Sequence, residues 1–334
     1  MKVFSGTSNL PLAQKVADML HTPLSPLDIY IFPDGEKRVR VNSGVVGEHA
    51  VVIQPTNTPV DSNTMELFFI VDALKRSGAE FVTAVVPYLG YQRQDHVFED
   101  GEAVSLEVIG ETLKSVGLDN IISLDLHSSR TPDIFPIPLT HLSALPLFAA
   151  TIKQLSKFSL SSLGEGRGEV GSQRPNTSGV RELSDTVLVS PDTGGIRRIK
   201  LISEMLNNMP YVVVDKNRDL QSGHVSATEF EEGSLEGKKH ALIVDDIIAS
   251  GQTIAVTCNL LAKHGITTVD VFATHAIFSE DAPQILQQSG AGKIYVTDSV
   301  SIPKEKHFPK LEVLSIADIL AQAISSTPEV GMLR

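Results

Sequence analysis

The sequence predicts an α/β protein built from two tandem units, each a mainly parallel β-sheet flanked by helices. Two observations lead to this prediction. Short apolar runs alternate with amphipathic segments along the chain, and 334 residues exceed what one hydrophobic core usually holds. The order of motifs in the first half also recurs weakly in the second. The pattern alone leaves two possibilities open, duplication of one α/β unit or two unrelated α/β units.

The strands are predicted where short apolar runs are bounded by polar or turn residues, and the helices where apolar residues follow a 3.6-residue period. The predicted strands are Lys2–Phe4, Ile29–Phe32, Ala50–Gln54, Phe81–Pro87, Asn120–Leu124, Thr186–Ser190, Tyr211–Val214, Lys239–Val244, Thr268–Thr274 and Lys293–Thr297. The predicted helices are Pro11–Leu20, Ser62–Ser77, Leu106–Ser115, Gly195–Leu206, Gln252–His264, Ala282–Ser289 and Ile316–Ser325.

A segment of different composition separates the two halves. Residues 159 to 184 are rich in Gly, Ser and charged residues and lack periodic apolar positions. We therefore predict a disordered surface insertion near residues 160–184, with the preceding helix ending at Phe158. The predicted domain boundary lies between residues 146 and 147, which gives an N-terminal domain of residues 1–146 and a C-terminal domain of residues 147–334.

Composition and charge restrict the function classes. The chain is 42% hydrophobic and 20% charged, and its net charge is −12. This acidity argues against a nucleic-acid partner, because phosphate backbones need clustered Lys and Arg, but small phosphates remain possible ligands. The first residues contain no apolar signal core, and no run approaches the roughly 18 apolar residues of a membrane span. A cytoplasmic protein without a membrane partner is expected, and its single cysteine, Cys258, is predicted to be a small buried residue.

The most informative stretch runs from Ala241 to Thr253. An apolar strand is followed by two carboxylates, Asp245 and Asp246, and then by a loop of small residues that leads into a helix. Backbone N–H groups at a helix N-terminus bind phosphate, and the paired carboxylates suit sugar hydroxyls or a metal. An acidic turn with an ordinary helix cap is the alternative, but the complete order favours a pocket for a ribose 5-phosphate group.

Two segments of the second half predict further parts of a phosphate site. Asp192, Gly194 and Gly195 open a predicted helix, where glycines allow the backbone to approach phosphate and Asp192 suits Mg²⁺. Lys216 and Arg218 follow a strand and enter a polar segment that extends to about residue 237. A lid that closes over a substrate and a solvated loop are both consistent with this segment.

Three segments of the first half are ambiguous by themselves. The Pro-Asp-Gly sequence within Phe32–Glu36 favours a hairpin turn on local evidence. The loop Gly90–His96 suits nucleotide phosphates or a base edge, and a solvated charged turn suits it equally. His127 lies beside Asp125 after a strand, where it is either a metal ligand or a structural histidine.

Taken in order, these motifs resemble the ribose-phosphate diphosphokinase (phosphoribosyl pyrophosphate synthetase) family over nearly the whole chain. The resemblance implies two type I phosphoribosyltransferase-like domains, Mg²⁺ as cofactor, ATP and ribose 5-phosphate as substrates, and dimers built into hexamers. It also implies roles for individual residues: ATP contacts from Phe32, Asp34, Gly35, Glu36, Arg93, Gln94 and Asp95; metal binding by His127 and Asp192; a catalytic pair of Lys216 and Arg218; ribose 5-phosphate contacts from Arg218, Asp245, Asp246, Ala249, Ser250, Gly251, Gln252 and Thr253; and a pyrophosphate loop of Asp192, Thr193, Gly194 and Gly195.

The reaction implied by this family is transfer of the β,γ-diphosphoryl group of MgATP to the 1-hydroxyl of ribose 5-phosphate. Two other readings are a phosphoribosyltransferase, for which one α/β unit would suffice, and a non-catalytic paralogue, which would lack the basic pair or the metal residues. The sequence departs from the family pattern at His96 and Ala249, and along residues 220–237. The departure at His96 concerns nucleotide contact, and the departure at Ala249 concerns the ribose-phosphate loop. The departure along residues 220–237 concerns allosteric control by ADP or phosphate.

Overall fold

The computed structural model describes residues 1–128, 130–164, 183–218 and 225–327, and within them the side chains of residues 157–164, 216–218, 225–229, 231 and 232 are not described. The first half contains a parallel sheet of five strands in the order β1-β4-β5-β6-β7. Its strands are β1 (Lys2–Ser5), β4 (His49–Ile53), β5 (Phe81–Val86), β6 (Asn120–Leu124) and β7 (Leu139–Leu142).

A separate antiparallel hairpin in the first half lies outside this sheet. It consists of β2 (Leu27–Ile31) and β3 (Lys37–Val41), so the predicted strand beginning at Ile29 pairs only with β3. The hairpin turn expected from the Pro-Asp-Gly sequence is present. The Gly35 N–H donates to the Phe32 carbonyl at 2.9 Å, and Gly35 has a φ of +92°, which a residue with a Cβ rarely adopts.

The second half contains a sheet of seven strands in the order β10-β9-β8-β11-β12-β13-β14, parallel except for the β9–β10 pair. Three of its strands, β9, β11 and β12, extend past the predicted ends, because their residues continue to pair with neighbouring strands. The strands are β8 (Thr186–Ser190), β9 (Tyr211–Arg218), β10 (Val225–Glu232), β11 (His240–Ile248), β12 (Thr268–Ala276), β13 (Ala291–Thr297) and β14 (Leu311–Leu314).

The predicted polar loop after β9 is therefore corrected in part. Residues 225–232 form β10, which returns antiparallel to β9, while residues 219–224 lie outside the described part of the chain. Asp245 and Asp246 are likewise inside a strand and do not follow its end, since β11 continues beside β12 as far as Ile248.

The described helices cover the two sheets. They are α1 (Leu10–Met19), α2 (Val60–Arg76), α3 (Ser105–Ser115), α4 (Thr131–Ile134), α5 (Leu145–Gly164), α6 (Ile196–Met205), α7 (Gln252–Lys263), α8 (Ala282–Gln288) and α9 (Ala317–Ser325). No described helix is long and apolar enough to cross a membrane.

Helix α5 corrects the predicted end of the helix before the insertion. The backbone stays helical to Gly164, six residues past Phe158, and most of the predicted insertion, residues 165–182, lies outside the described residues. The glycine-rich composition led to the prediction that the helix ends at Phe158, but the first glycine of this segment is Gly164, the last helical residue.

One hydrophobic core joins the two halves of the chain. It contains residues of β1 and α1 together with residues of β12, β13 and α9, and the ring of Phe272 lies between Phe148 of α5 and Tyr295 at centroid distances of 5.5 and 4.6 Å. Helices α1 and α9, from opposite ends of the chain, pack on each other. We propose that the domain boundary lies in the first turn of α5, near residues 146 and 147.

The thiol of Cys258 is expected to be unreactive in the native protein. Cys258 is 1% exposed on α7, and burial raises the pKa of its thiol to about 12. The thiolate is the reactive form, so a disulfide reagent at about pH 8 should label the native chain negligibly and the denatured chain stoichiometrically. Rapid labelling of the native protein would contradict this placement of the side chain.

Candidate active site

A polar cleft of about 430 Å³ lies at the carboxyl ends of the central strands of the second sheet. Ligands of open parallel α/β sheets bind at this edge, where strands end and helices begin. Segments after β5 and β6 of the first sheet form the other wall. The lining residues are Arg93, His127, Asp192, Thr193, Gly194, Asp215, Asp245, Asp246, Ile247, Ile248, Ala249, Ser250, Gly251, Thr253 and Ile254.

Two buried carboxylates form the floor of this cleft. Asp245 and Asp246 are 7% and 6% exposed, and the guanidinium of Arg198 lies 3.5 Å from Asp245 Oδ1 and 3.1 Å from Asp246 Oδ2. Burial, and then the charge of Asp246, raise the pKa of Asp245 well above its usual value. Burial acts in the same direction on Asp246, but the hydrogen bond from His127 and the charge of Arg198 outweigh it and lower the pKa of Asp246.

The pKa values of the two carboxylates therefore move in opposite directions. Asp246 holds its negative charge firmly, whereas Asp245 takes up a proton more readily than an ordinary aspartate. Two adjacent carboxylates can accept hydrogen bonds from a pair of neighbouring hydroxyls, and a protonated carboxyl group can also donate a hydrogen bond to a hydroxyl oxygen.

His127 connects the first half of the chain to this pair. Its Nδ1 is 2.8 Å from Asp246 Oδ2, and its backbone N–H donates to Gln92 Oε1 at 2.9 Å. The preceding N–H, of Leu126, donates to Nε2 of His141 at 3.0 Å. The loop that carries His127 is thus fixed from three sides and reaches across to the second half.

The stability of the protein is expected to fall in mild acid because the pKa values of two histidines are lowered. Burial lowers the pKa of His275, which is 0% exposed, and partial desolvation lowers the pKa of His141, whose side chain lies on the exposed face of β7. A lowered native pKa stabilises the fold above the usual histidine value of about 6.5, and this contribution is lost as the pH falls below it. The contribution of the two histidines to the urea midpoint should therefore decrease between about pH 7.5 and pH 5.5, while Asp245, whose pKa is raised, acts in the opposite direction.

His141→Gln should make that decrease smaller. The glutamine amide oxygen can still accept the hydrogen bond from Leu126, but it does not titrate. An unchanged slope of midpoint against pH in this variant would show that His141 does not contribute.

Asp192 is fixed by the turn that it begins. Its Oδ1 accepts the N–H of Gly195 at 3.2 Å, and its carbonyl accepts the hydroxyl of Ser190 at 2.7 Å. Gly195 is buried, and a Cβ built on it would lie 2.3 Å from Ser190 Oγ. The absence of a side chain at Gly195 therefore lets the turn close, which leaves Asp192, Thr193 and Gly194 on the cleft wall.

The segment from Ala249 to Thr253 has the geometry of an anion site. Gly251 is the N-cap of α7, has a φ of +77° and has no side chain with which to cap the helix, while the N–H of Gln252 donates to Ser250 Oγ at 3.4 Å. Ala249, Ser250, Gly251 and Thr253 line the cleft, whereas Gln252 does not. A helix N-terminus that faces a pocket presents N–H groups and the positive end of the helix dipole to an anion.

The loop after β5 reaches the cleft through Arg93 alone. Gln94 is held by its own loop, where its side chain donates to Glu102 at 3.3 Å. Asp95 Oδ1 lies 2.7 Å from His96 Nδ1, so His96, which departs from the family pattern, is a hydrogen-bond partner of Asp95, one of the residues predicted to contact ATP. Neither Gln94 nor Asp95 is among the lining residues described for the cleft.

The hairpin residues predicted to contact ATP stand apart from this cleft. Phe32, Asp34, Gly35 and Glu36 are exposed at the tip of the β2–β3 hairpin, and none of them lines the cleft among the described residues. The structure of one chain therefore brings the ribose-phosphate and pyrophosphate segments together with Arg93, but not with the hairpin.

The side chains of the predicted catalytic pair, Lys216 and Arg218, lie outside the described residues, although their backbone forms the end of β9. Asp215, immediately before them, lines the cleft.

The prediction from sequence missed two site residues, Asp215 and Arg198. Arg198 lies on the first turn of α6 after the Asp192 loop, and no local pattern indicates its pairing with carboxylates 47 and 48 residues away.

The described residues fit a metal that arrives with a phosphate ligand. No group of three or more His, Cys, Asp or Glu side chains within the described ranges is arranged to hold a metal ion. Mg²⁺ in nucleotide sites commonly takes one or two protein carboxylates together with phosphate oxygens and water. Asp192 and His127, on the two walls of the cleft, are consistent with that mode of binding.

Comparison with known proteins agrees with this arrangement. Residues 1–117 match the N-terminal domain of ribose phosphate pyrophosphokinase, and residues 175–291 match the phosphoribosyl transferase domain. The chain is similar to ribose-phosphate pyrophosphokinase 1 of Streptococcus pyogenes serotype M3, with 33% identity over 97% of this chain and 93% of the relative. It is equally similar to ribose-phosphate pyrophosphokinase of Fusobacterium nucleatum, at 33% identity over 97% of this chain and 94% of the relative.

The fold is likewise that of a solved relative. The crystal structure of phosphoribosylpyrophosphate synthetase from Mycobacterium smegmatis superposes with a TM-score of 0.82, with 31% identity and 97% of each chain covered. The expected fold, two tandem phosphoribosyltransferase-like domains with mainly parallel sheets, is confirmed. The chain belongs to the ribose-phosphate pyrophosphokinase family.

Proposed function

We propose that this chain transfers the β,γ-diphosphoryl group of ATP to the 1-hydroxyl of ribose 5-phosphate, which gives phosphoribosyl pyrophosphate and AMP for nucleotide biosynthesis. One observation carries the proposal most strongly. A carboxylate pair, the N-terminus of α7 and the Asp192 turn face the same cleft. These elements match a sugar with two hydroxyls, its 5-phosphate and a transferred diphosphate.

Ribose 5-phosphate would bind along β11 and the start of α7. Asp245 and Asp246 would accept hydrogen bonds from the ribose hydroxyls, and the segment Ala249–Thr253 would hold the 5-phosphate. Ala249 carries no charge, so it does not repel the dianionic phosphate, and the backbone and hydroxyl groups of the segment supply the donors. This arrangement fixes the orientation of the 1-hydroxyl, and such positioning accounts for a large part of the barrier reduction in phosphoryl transfer.

The diphosphoryl group would lie against the segment Asp192–Gly195. When bound, Mg²⁺ would neutralise charge on the phosphate oxygens, and Asp192 and His127 are the residues that would hold it. Arg93 adds a positive charge to the opposite wall. Lys216 and Arg218 would stabilise the charge that develops on the transferred group and on the AMP leaving group, with Arg218 also near the ribose 5-phosphate.

We further propose that the nucleotide site is shared between copies of the chain, as dimers that assemble further. Arg93 lines the cleft while Phe32, Asp34 and Glu36 do not, so the hairpin would contact nucleotide bound to a neighbouring copy. The hairpin also exposes Tyr30 and Ile31 by 50% and 57%. A protein that sedimented as a monomer while fully active would contradict this sharing.

The reaction class can be tested by separating the nucleotide products. With MgATP and ribose 5-phosphate, AMP should accumulate in equal amount to ATP consumed, and omission of ribose 5-phosphate should abolish it. Release of ADP would indicate transfer of a single phosphoryl group and would exclude the proposed reaction. ATP binding by a folded protein without any turnover would favour the non-catalytic paralogue.

A further inference from the structure

A buried ion pair ties the β2–β3 hairpin to the first domain. Lys37 is the first residue of β3, immediately after the hairpin tip, and its ammonium group donates to Glu66 Oε2 at 2.6 Å and to the Ser62 carbonyl at 3.0 Å. The side chains of Lys37 and Glu66 are 9% and 0% exposed. Charged groups are rarely so deeply buried, and a buried pair has a defined geometry only when its remaining hydrogen bonds are satisfied.

Glu66 satisfies that condition. Its Oε1 accepts the backbone N–H of Thr7 at 2.7 Å and the side-chain amide of Gln54 at 3.0 Å, and the Thr7 hydroxyl donates to the same carboxylate. Thr7 follows β1 and Gln54 follows β4, so Glu66 is fixed against the carboxyl ends of two strands. Lys37 is thereby held against the rigid edge of the first sheet.

The same part of α2 also holds the second nucleotide segment. Asp61, in the first turn of α2, accepts a hydrogen bond from the hydroxyl of Tyr91, two residues before Arg93. The N–H of Gly90 donates to Thr56 Oγ1 at 2.7 Å just ahead of the helix. The first two turns of α2 therefore carry anchors for both the hairpin and the loop of Arg93.

The other contacts of the hairpin are less directional. Ile29 and Val39 pack against the first-domain core, but they are only partly buried and their apolar contacts do not specify an orientation. The hairpin tip projects beyond them with Phe32, Asp34 and Glu36 exposed. The ion pair between Lys37 and Glu66 is thus the polar contact that fixes the start of β3, next to the hairpin tip, against the first domain.

We propose that Lys37 and Glu66 are positioning residues for the nucleotide, because they fix the hairpin that carries the adenine and ribose contacts of ATP. The proposal rests on the proposed function for the identity of that ligand. It assigns no chemical step to the pair, which lies away from the lining of the cleft.

Lys37→Met tests the proposal with two readouts. Hydrogen exchange should become faster at residues 27–41, and the KM for ATP should rise about tenfold, since loss of preorganisation weakens binding. The KM for ribose 5-phosphate should stay unchanged, because its site lies in the other domain. Lys75→Met is the matched control, since Lys75 forms an ion pair with Asp119 at the far end of the same helix.

A second variant separates positioning from folding. Lys37→Met leaves the Glu66 charge buried without its partner and can unfold the domain, whereas Lys37→Met combined with Glu66→Gln removes both charges. If the double variant melts near the wild-type temperature and still shows the raised KM for ATP and the faster exchange, the proposal holds. Wild-type exchange across residues 27–41, or a wild-type KM for ATP, in this variant would overturn it.

These readouts remain distinct from a failure of the proposed function. If the wild-type chain produced no AMP, the reaction would be wrong, and the exchange measurement together with the dissociation constant of ATP would still decide whether the pair positions the hairpin.

Discussion

Asp246→Asn is expected to lower kcat/KM for ribose 5-phosphate by about 100-fold, the value of a hydrogen bond to a charged, buried group. Asp246 is 6% exposed and receives contacts from both His127 and Arg198. Asparagine keeps the shape of the side chain but removes the charge that orders these two partners. Steady-state kinetics with ribose 5-phosphate varied at saturating MgATP measure the effect.

The neighbouring carboxylate, Asp245, should limit the decrease in kcat/KM that Asp246→Asn causes. The charge of Asp246 is the second cause of the raised pKa of Asp245, so Asp245 will ionise more readily in Asp246→Asn. Asp245→Asn combined with Asp246→Asn should then lose more than the product of the two single effects. Asp72→Asn is the control, because it removes a carboxylate from an exposed pair with Arg76. Near-normal kcat/KM in Asp246→Asn would show that the carboxylate pair does not bind the sugar hydroxyls.

Lys216→Ala is expected to have the largest effect on turnover. Removing a cation that stabilises charge on a transferred phosphoryl group costs about a thousandfold in kcat. Lys216 pairs with Ala227 near the end of β9, next to Asp215 of the cleft wall. We expect the melting temperature to change little, since Val214 is the last core position among the described side chains of β9 and the next residue, Asp215, is exposed.

The kinetic pattern distinguishes this role from simple binding. The dissociation constant of ATP should change far less than kcat, because the interaction strengthens as charge develops in the transition state. Lys263→Ala, at the exposed last turn of α7, is the matched lysine control. Near-normal turnover in Lys216→Ala would refute the assigned role.

Most of the fold was predictable because local patterns determine it. The strand Asn120–Leu124 and the helix beginning at Gln252 agree with the structure, since apolar runs between turn residues fix such elements. The predictions were less successful where pairing with other strands decides the structure. Strand β11 contains two aspartates that disfavour a strand, yet it continues to Ile248 because β12 pairs with it. Short edge strands such as β7 and β14 were not predicted for the same reason.

The candidate site was predictable where one segment carries the chemistry. The Asp245–Thr253 segment and the Asp192 turn are contiguous in sequence, and their residues line one cleft. Contacts between distant segments were not predictable. Arg198 pairs with Asp245 and Asp246, and Lys37 pairs with Glu66, through the three-dimensional arrangement of the chain alone. The separation of the hairpin from the cleft was also visible only in the structure.

The proposed reaction is tested most directly by ³¹P NMR of the purified protein with MgATP and ribose 5-phosphate. We expect a diphosphate attached to C1 of ribose 5-phosphate together with AMP, and loss of both products in Lys216→Ala. Appearance of ADP with a singly phosphorylated sugar, or release of inorganic phosphate without a sugar diphosphate, would contradict the proposed reaction.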